Sequence, residues 1–197
     1  MKIFRFVLTG GPCGGKTTAL TRFESELKKL NFEVLLIPET ATELQNGNIQ
    51  TTEPDFQKYV FRLQIEKELI YNTVAKSKQK NTVIIMDRCL LDGNAYISDD
   101  VYNNNLAEFN LTKDMLYSRY DAVFHLLTAA NGAEEYYTLA NNSARKENPA
   151  TARMVDAKTY DVLKHHPHFY FYDNSTDFET KIDKCVKDMI DYINNNL

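Results

Sequence analysis

The stretch Gly10-Gly11-Pro12-Cys13-Gly14-Gly15-Lys16-Thr17 fits the pattern G-x-x-x-x-G-K-S/T of a phosphate-binding loop at every fixed position. A short apolar run of strand type, residues 3–8, lies directly before it, and residues 18–30 after it have the pattern of a helix. Strand, loop and helix in this order predict the start of an α/β fold. The alternative interpretation is a glycine-rich turn that only joins a strand to a helix.

The residue types of this loop suit a polyphosphate. Glycines let consecutive backbone N–H groups turn inward around an anion, and the following helix adds its free amides and the positive end of its dipole. The Lys16 ammonium can neutralise the β- and γ-phosphates of a nucleotide, and the Thr17 hydroxyl can bind Mg²⁺. We therefore predict that a nucleotide contacts Gly11, Pro12, Cys13, Gly14, Gly15, Lys16, Thr17 and Thr18.

Composition narrows the class of protein. The chain has 197 residues, 25% of them charged, and a formal net charge of −4, which argues against broad nucleic-acid binding. We predict a single domain over residues 1–197. Three cysteines at unrelated spacings indicate neither disulfides nor a zinc site, and no apolar run reaches the ~18 residues of a membrane span. The sequence therefore predicts a cytoplasmic protein without a membrane span.

Further apolar runs of strand type alternate with helical patterns along the rest of the chain. The predicted strands span residues 34–37, 82–86, 122–127 and 169–172, and the predicted helices span residues 53–77, 112–119, 151–164 and 177–193. The apolar face predicted for the helix at 53–77 consists of Phe56, Tyr59, Val60, Leu63 and Ile70. This alternation predicts right-handed βαβ units and a parallel sheet of five strands with helices on both faces. Because ligands of such sheets bind beyond the carboxyl ends of the strands, polar residues at those ends are the candidates for function.

Three charged residues follow predicted strands directly. Asp87 ends the third strand, where a carboxylate can reach the Mg²⁺ of a bound nucleotide, usually through water. Arg88 beside it could hold a substrate or stabilise a transferring phosphate; otherwise Asp87 caps a helix and Arg88 is exposed. Glu39, after the second strand, could accept a proton from a substrate hydroxyl or cap the next helix. It could also contact the groups that bind the metal without binding the metal itself.

The polar region around residues 129–155 follows the fourth strand and predicts a lid whose basic side chains reach the phosphates. Its candidate residues are Tyr136, Tyr137, Arg145, Lys146 and Arg153. Arg145 or Arg153 would then act as an arginine finger supplied by the same chain, and sequence does not choose between them. The alternative is a solvated loop with ordinary surface charge.

Other polar residues near strand ends have two interpretations each. Asp92 could bind substrate or cap a helix. Asn174 or Ser175, after the fifth strand, could contact the nucleotide base; otherwise this loop only caps the last helix, through Ser175 or Thr176. Lys181, Lys184 and Lys187 lie roughly on one side of that helix, and a solvated face is the expected interpretation.

The chain resembles the NadR-like AAA-type P-loop ATPase domain, most closely that of the TRPL translocation defect protein family. The similar stretches are residues 8–18, Pro38-Glu39-Thr40-Ala41-Thr42, Val83 to Arg88, Asn131-Gly132-Ala133-Glu134-Glu135-Tyr136-Tyr137 onward to Arg145, and residues 166–178. The resemblance implies a nucleoside-kinase-like fold, a three-layer sandwich around a five-stranded parallel sheet. It also implies Mg-nucleotide binding. Members are linked to GTP and phosphoinositide binding as well as to ATPase activity, so ATP and GTP both stay open as ligands.

One pattern bears on the nucleotide base. Ras-like GTPases read guanine with the segment Asn/Thr-Lys-x-Asp, and Thr112-Lys113-Asp114 lacks the spacer residue. No other segment of the chain fits. The sequence argues against a Ras-type switch, although guanine could be recognised by other means.

Two functions use the same residues. The first is Mg-dependent binding of a nucleoside triphosphate with hydrolysis or phosphoryl transfer to a small hydroxyl acceptor, which would sit between Glu39, Arg88 and the long helix at 53–77. The second is a regulatory ATP/GTP-binding module that controls a protein or phosphoinositide partner and hydrolyses slowly. Lys16, Thr17 and Asp87 together argue against a third possibility, a scaffold with a degenerate loop.

Overall fold

A computed structural model describes residues 1–137 and 148–197. Within these ranges, parallel strands form one sheet in the order β2-β3-β1-β4-β5. The strands are β1 (Ile3–Thr9), β2 (Glu33–Ile37), β3 (Thr82–Asp87), β4 (Ala122–Leu126) and β5 (Phe169–Tyr172). The predicted α/β fold with a five-stranded parallel sheet is confirmed.

Helices connect the strands and cover the sheet. They are α1 (Lys16–Lys29), α2 (Thr40–Asn46), α3 (Phe56–Ser77), α4 (Asp99–Glu108), α5 (Lys113–Tyr117), α6 (Pro149–Leu163) and α7 (Phe178–Asn196), with 3-10 turns at Leu90–Ala95 and Glu134–Tyr136. The sequence patterns did not predict α2 or α4. The last helix is capped by Asp177, which accepts from the Thr180 amide at 3.0 Å, and not by Ser175 or Thr176 as expected.

The core lies on both faces of the sheet, as the buried parallel strands require. Phe6 and Phe124 point toward α1 and α7, with ring centroids 5.4 Å apart. Val7 and Ile84 point the opposite way, into a second apolar cluster that includes the fully buried Tyr102 of α4. The result is a sandwich of helices, sheet and helices.

Helix α3 differs from its prediction in the face it buries. The sequence placed Tyr59 and Ile70 on its apolar face, but these side chains are 44% and 56% exposed. Phe56 and Phe61 are the aromatic residues of this helix that are buried. Periodicity placed Phe56 correctly but misplaced Tyr59 and Ile70, because α3 carries apolar side chains on more than one side.

The strand register sets the position of the candidate site. Leu8 of β1 lies opposite Asp87 of β3, and Thr9 lies opposite His125 of β4. The amide of Arg88 also donates to the Leu8 carbonyl at 3.0 Å. The carboxyl ends of β1, β3 and β4 therefore meet beside the loop that begins at Gly10. None of the helices in the described ranges has the length and apolarity needed to cross a membrane.

Candidate nucleotide-binding site

The loop after β1 has the curled backbone that its sequence predicts. Gly10, Cys13 and Gly15 have φ angles of 121°, 57° and 100°, all in the left-handed region. The buried Lys16 folds back across the loop, and its Nζ donates to the carbonyl oxygens of Gly10 and Gly11, both at 2.9 Å. The ammonium therefore lies over the loop at the N-terminal end of α1, where the positive end of the helix dipole suits a polyphosphate.

Close packing against β4, the segment that follows it and α6 explains why two positions of the loop are glycines. A Cβ atom at Gly10 would lie 1.9 Å from the Leu126 carbonyl oxygen. At Gly11 it would lie 2.6 Å from Thr128 Cβ and 2.8 Å from Asp156 Oδ1. The Thr128 hydroxyl also donates to the Pro12 carbonyl at 2.7 Å. The loop is thus held from behind by the segment that follows β4 and by α6.

The two predicted metal ligands lie at the same edge of the sheet. Thr17 is exposed at the start of α1, and the partly exposed Asp87 closes β3 beside the strand that leads into the loop. A hydroxyl and a carboxylate are the oxygen ligands that Mg²⁺ prefers. The described residues contain no cluster of three or more metal-ligating side chains. This donor set fits an ion held chiefly by the nucleotide's phosphates and by water, with few protein ligands.

Glu39, Arg88 and Asp92 form one cluster at the ends of β2 and β3. Arg88 Nε donates to Glu39 Oε1 at 2.7 Å, and Arg88 Nη1 lies 3.4 Å from Asp92 Oδ1. Asp92 in turn accepts from the Thr9 hydroxyl and from the Cys89 amide. The cluster therefore connects to β1 one residue before the phosphate loop begins.

The alternative of an exposed Arg88 is wrong, because its side chain is only 13% exposed. Its backbone φ of 71° turns the chain sharply after β3 and directs the side chain to Glu39. Burial opposes the charge of the guanidinium, but the surrounding acidic groups, including Tyr96, Glu39 and Asp92, raise its pKa well above the ordinary value. Arg88 is a fixed positive charge at this site.

Glu39 is held by residues that the sequence did not single out. The Thr42 hydroxyl donates to Glu39 Oε2 at 2.8 Å. On either side of Glu39, the buried Lys67 of α3 donates from Nζ to the Pro38 carbonyl at 2.6 Å and to Thr40 Oγ1 at 3.1 Å. The backbone that carries Glu39 is therefore fixed to α3, which favours a defined orientation of its carboxylate.

A cavity of about 920 Å³ opens from this cluster. Glu39, Arg88 and Asp92 line it together with aromatic side chains of α3 and α4 and the 3-10 turn between them: Phe56, Phe61, Tyr96 and Tyr102. Asn148 and Thr151, at the start of α6, also line it. Its size and its mixture of apolar walls and convergent charges are typical of a small-molecule site.

The predicted lid region is described in part. Arg153 donates from Nη1 to the Ala130 carbonyl at 2.7 Å, which places it against the segment after β4. Tyr136 is 69% exposed. Arg145 and Lys146 lie outside the described residues. The structure therefore describes one of the two candidate arginines, in contact with the backbone of the segment that follows β4.

Asn174 braces the same segment. Its Nδ2 donates to the carbonyls of Thr128 and Asn131 at 2.9 and 2.7 Å, and its Oδ1 accepts from Lys181 Nζ at 2.8 Å. These contacts use both ends of the amide. A contact of Asn174 with a nucleotide base stays a prediction.

The expectation of a solvated lysine face on α7 is wrong for one member. Lys184 and Lys187 are exposed, but Lys181 is 4% exposed, and its Nζ donates to the Leu127 carbonyl at 2.9 Å. Burial lowers the pKa of Lys181 to about 8. The nearby Asp156 carboxylate partly offsets that shift.

Asp156 of α6 is a further residue at the site that the sequence did not single out. It is 2% exposed, and its Oδ1 accepts from the Gly11 amide in the phosphate loop. The Nε2 atom of His125 lies 3.2 Å from the same oxygen. The sequence offered a signal, because Asp156 lies on the buried face of α6 with Ala152 and Leu163. A carboxylate on a buried face is almost always paired with a partner.

A family model described as an AAA domain matches residues 5–181. Among solved structures, deoxyadenosine kinase from M. mycoides with bound dATP aligns with a TM-score of 0.55 at 18% identity, over 94% of this chain and 99% of that chain. The same enzyme with its products dCMP and a flexible dCDP aligns with a TM-score of 0.56 at 18% identity, over 98% and 100%.

No curated protein matches the chain. At 18% identity, the likeness to the kinase structures shows the fold alone, which is that of a P-loop nucleoside kinase. The family model, by contrast, spans most of the chain. This protein therefore belongs to the AAA domain family of P-loop NTPases.

Proposed function

We propose that this protein transfers the γ-phosphoryl group of a Mg-nucleoside triphosphate to a hydroxyl group of a small acceptor bound in the 920 Å³ cavity. One observation carries the proposal. Glu39, Arg88 and Asp92 line the cavity, and Asp92 accepts from Thr9, the residue before the phosphate loop. An acceptor in the cavity would thus have its hydroxyl end near the phosphates.

Each residue of the site has a role in this proposal. Lys16 and the loop amides hold the β- and γ-phosphates. Glu39 accepts the proton of the acceptor hydroxyl while the oxygen of that hydroxyl forms a bond to the γ-phosphorus. The bond from that phosphorus to the β–γ bridging oxygen breaks, and the diphosphate leaves. Arg88 orients Glu39 and can bind the transferring group. Mg²⁺ held by Thr17 and Asp87 would neutralise phosphate charge.

The remaining candidates are proposed with lesser roles. Arg153, or Arg145 outside the described residues, would stabilise charge on the transferring group. Gly11 to Thr18 would form the phosphate contacts, and Asn174 would lie near the base. ATP and GTP are both proposed as donors, and a nucleoside is the first acceptor class to try, because the kinase with the similar fold binds dATP.

A screen of acceptors tests the proposal. Mg-ATP and Mg-GTP are each incubated with the protein and a panel of nucleosides, and diphosphate release is measured with and without each compound. We expect one acceptor to raise the release rate and to appear as its monophosphate by mass spectrometry. Nucleotide binding without stimulation by any hydroxyl acceptor would favour the regulatory module with a protein or phosphoinositide partner.

Glu39→Gln then tests the proposed base. We expect it to lower the acceptor-dependent rate by about 10²- to 10⁴-fold while the Kd of the nucleotide stays unchanged. Glu66→Gln is the matched control, because Glu66 is an exposed carboxylate on α3 that does not line the cavity. An unchanged rate in Glu39→Gln would remove Glu39 as the base.

We also propose, from the shared stretches, that within the AAA domain family this chain stands near the NadR-like domain and the TRPL translocation defect group. A single domain over residues 1–197 and a cytoplasmic location complete the proposal. Fractionation of cells that express a tagged chain checks the location.

A further inference from the structure

A buried carboxylate touches the backbone of the phosphate loop from behind. Asp156 of α6 is 2% exposed, and its Oδ1 accepts from the Gly11 amide. The contact is tight, since a Cβ atom at Gly11 would lie 2.8 Å from this oxygen. Asp156 and Gly11 are separated by 145 positions in the chain. The hydrogen bond therefore joins two elements that lie far apart in the sequence.

The same oxygen also orients His125 at the end of β4. His125 is fully buried, and its Nε2 lies 3.2 Å from Asp156 Oδ1. Its Nδ1 is buried without a hydrogen-bond partner among the described residues. A carboxylate oxygen accepts, so the tautomer of His125 with its proton on Nε2 would donate to Asp156. Asp156 is thus shared between the sheet and the loop.

A second contact fixes α6 one turn earlier. Arg153 lies three positions before Asp156, so both side chains leave neighbouring parts of the same helix face. Arg153 donates to the Ala130 carbonyl at 2.7 Å, and Thr128, two residues before Ala130, donates to Pro12 in the loop. Two routes therefore lead from α6 to the phosphate loop, one direct through Asp156 and one through the segment after β4.

We propose that Asp156 is a positioning residue that ties α6 to the phosphate loop, so that triphosphate binding stabilises α6 and keeps Arg153 at the phosphate end of the site. The inference rests on the proposed function for the binding of the triphosphate. The Asp156 oxygen acts as a hydrogen-bond acceptor for Gly11, so an amide oxygen in its place preserves the link. A side chain without an acceptor breaks it.

Hydrogen–deuterium exchange with Mg-ATP and Mg-GTP tests this link without any acceptor. In the wild-type protein we expect nucleotide to slow exchange in peptides over residues 10–18 and also over residues 149–163. In Asp156→Leu we expect the loop peptide to be protected and the α6 peptide to exchange as in the nucleotide-free protein. In Asp156→Asn we expect protection of both.

Two controls separate the link from general damage. Asp161→Asn changes an exposed carboxylate on the same helix and should behave as wild type. His125→Phe fills an aromatic cluster with Tyr160 and Phe169 and keeps Asp156 on Gly11, so α6 should still be protected. If Asp156→Leu does not fold, it is combined with His125→Phe. The double variant has no buried imidazole that has lost its carboxylate partner, and the same exchange experiment is repeated on it.

A double-mutant cycle measured on kcat adds a second test. A purely structural role of Asp156 would not couple its effect on kcat to that of Arg153. Arg153→Ala and Asp156→Leu should each lower kcat, by about tenfold or more, and the double variant should lose little beyond the single ones. The KM of the acceptor should stay the same in all of them. Effects that multiply instead would overturn the link between Asp156 and Arg153.

The outcomes are distinguishable. Wild-type protein whose loop peptide is not protected by either nucleotide would contradict the proposed function. A protected loop with an unprotected wild-type α6, or equal protection of α6 in Asp156→Leu, would contradict the positioning role alone.

Discussion

The phosphate loop and the proposed acceptor cavity lie at the same edge of the sheet but are built in opposite ways. The loop is one run of residues, 10–17, whose backbone makes the binding surface, and it is packed so tightly that added atoms collide with β4 or α6. The cavity is assembled from side chains that follow β2 and β3 and from α2, α3, α4 and the start of α6, and it is roomy. Backbone sites tolerate few substitutions, whereas a cavity built of side chains can change ligand one residue at a time.

The largest effect should come from the loop's ammonium. Lys16→Ala removes the charge that faces the phosphates, and we expect turnover to fall by about 10²- to 10³-fold or more. The Kd for Mg-nucleotide, measured by titration calorimetry, should also rise. Lys184→Ala, on the exposed face of α7, is the control and should leave both quantities unchanged. Equal losses in the two variants would contradict a specific role of Lys16.

A substitution at the cavity should separate acceptor from nucleotide. Arg88→Lys keeps a positive charge but loses the planar fork that reaches Glu39 and Asp92. We expect kcat/KM for the acceptor to fall by about 10- to 100-fold, with the nucleotide Kd unchanged. Steady-state kinetics at saturating nucleotide measure this, and a variant that lost nucleotide affinity equally would show that the two sites are not separate.

Glycine variants compare the two regions by space alone. Gly11→Ala would place Cβ 2.6 Å from Thr128 and should destabilise the protein by about 1–3 kcal/mol as well as weaken nucleotide binding. Gly93 lines the cavity, and Cβ there would meet Tyr102 at 3.7 Å, an ordinary contact. Gly93→Ala should therefore change the free energy of unfolding in urea by less than about 1 kcal/mol. Equal destabilisation would contradict the contrast in packing.

The smallest effect concerns the buried charge behind the loop. Burial lowers the pKa of Lys181 to about 8, so between that pH and its ordinary value of 10.5 the unfolded chain holds a proton that the native protein has lost. The contribution of Lys181 to the free energy of unfolding should therefore rise with pH across this window, by on the order of 1 kcal/mol.

Urea unfolding at a series of pH values, for wild type and Lys181→Met, isolates this contribution as a difference. Lys184→Met is the matched surface control. A wild-type stability that falls relative to Lys181→Met as the pH rises would have the wrong sign and would contradict the burial of an ammonium at this position.

The same contrast explains what could be predicted from the sequence. The loop, β1 and α1 came from contiguous signals, and the strand ends located Glu39, Asp87 and Arg88 because parallel strands share an edge. Helix α4 was missed because three asparagines and few apolar residues hide it, although Ser98 before two aspartates is a helix start.

The parts of the site that could not be predicted depend on contacts across the fold. Lys67 holds the backbone around Glu39 from 29 positions away, and Asp156 reaches Gly11 across 145. Phe61, which lines the cavity, lies on a helix for which periodicity placed the exposed Tyr59 and Ile70 on the apolar face instead. A burial pattern can mark such residues as unusual, but only packing shows what they touch.

The central claim is that the phosphate loop and the cavity at Glu39 and Arg88 face the same phosphoryl group. A crystal structure with Mg²⁺ and a non-hydrolysable triphosphate analogue tests it most directly. We predict that the phosphates lie in the loop beside Lys16 and that the metal lies between Thr17 and Asp87. The γ-phosphate should point into the cavity, toward Glu39 and Arg88. A γ-phosphate that points away from the cavity, with protein between it and Glu39, would contradict the claim.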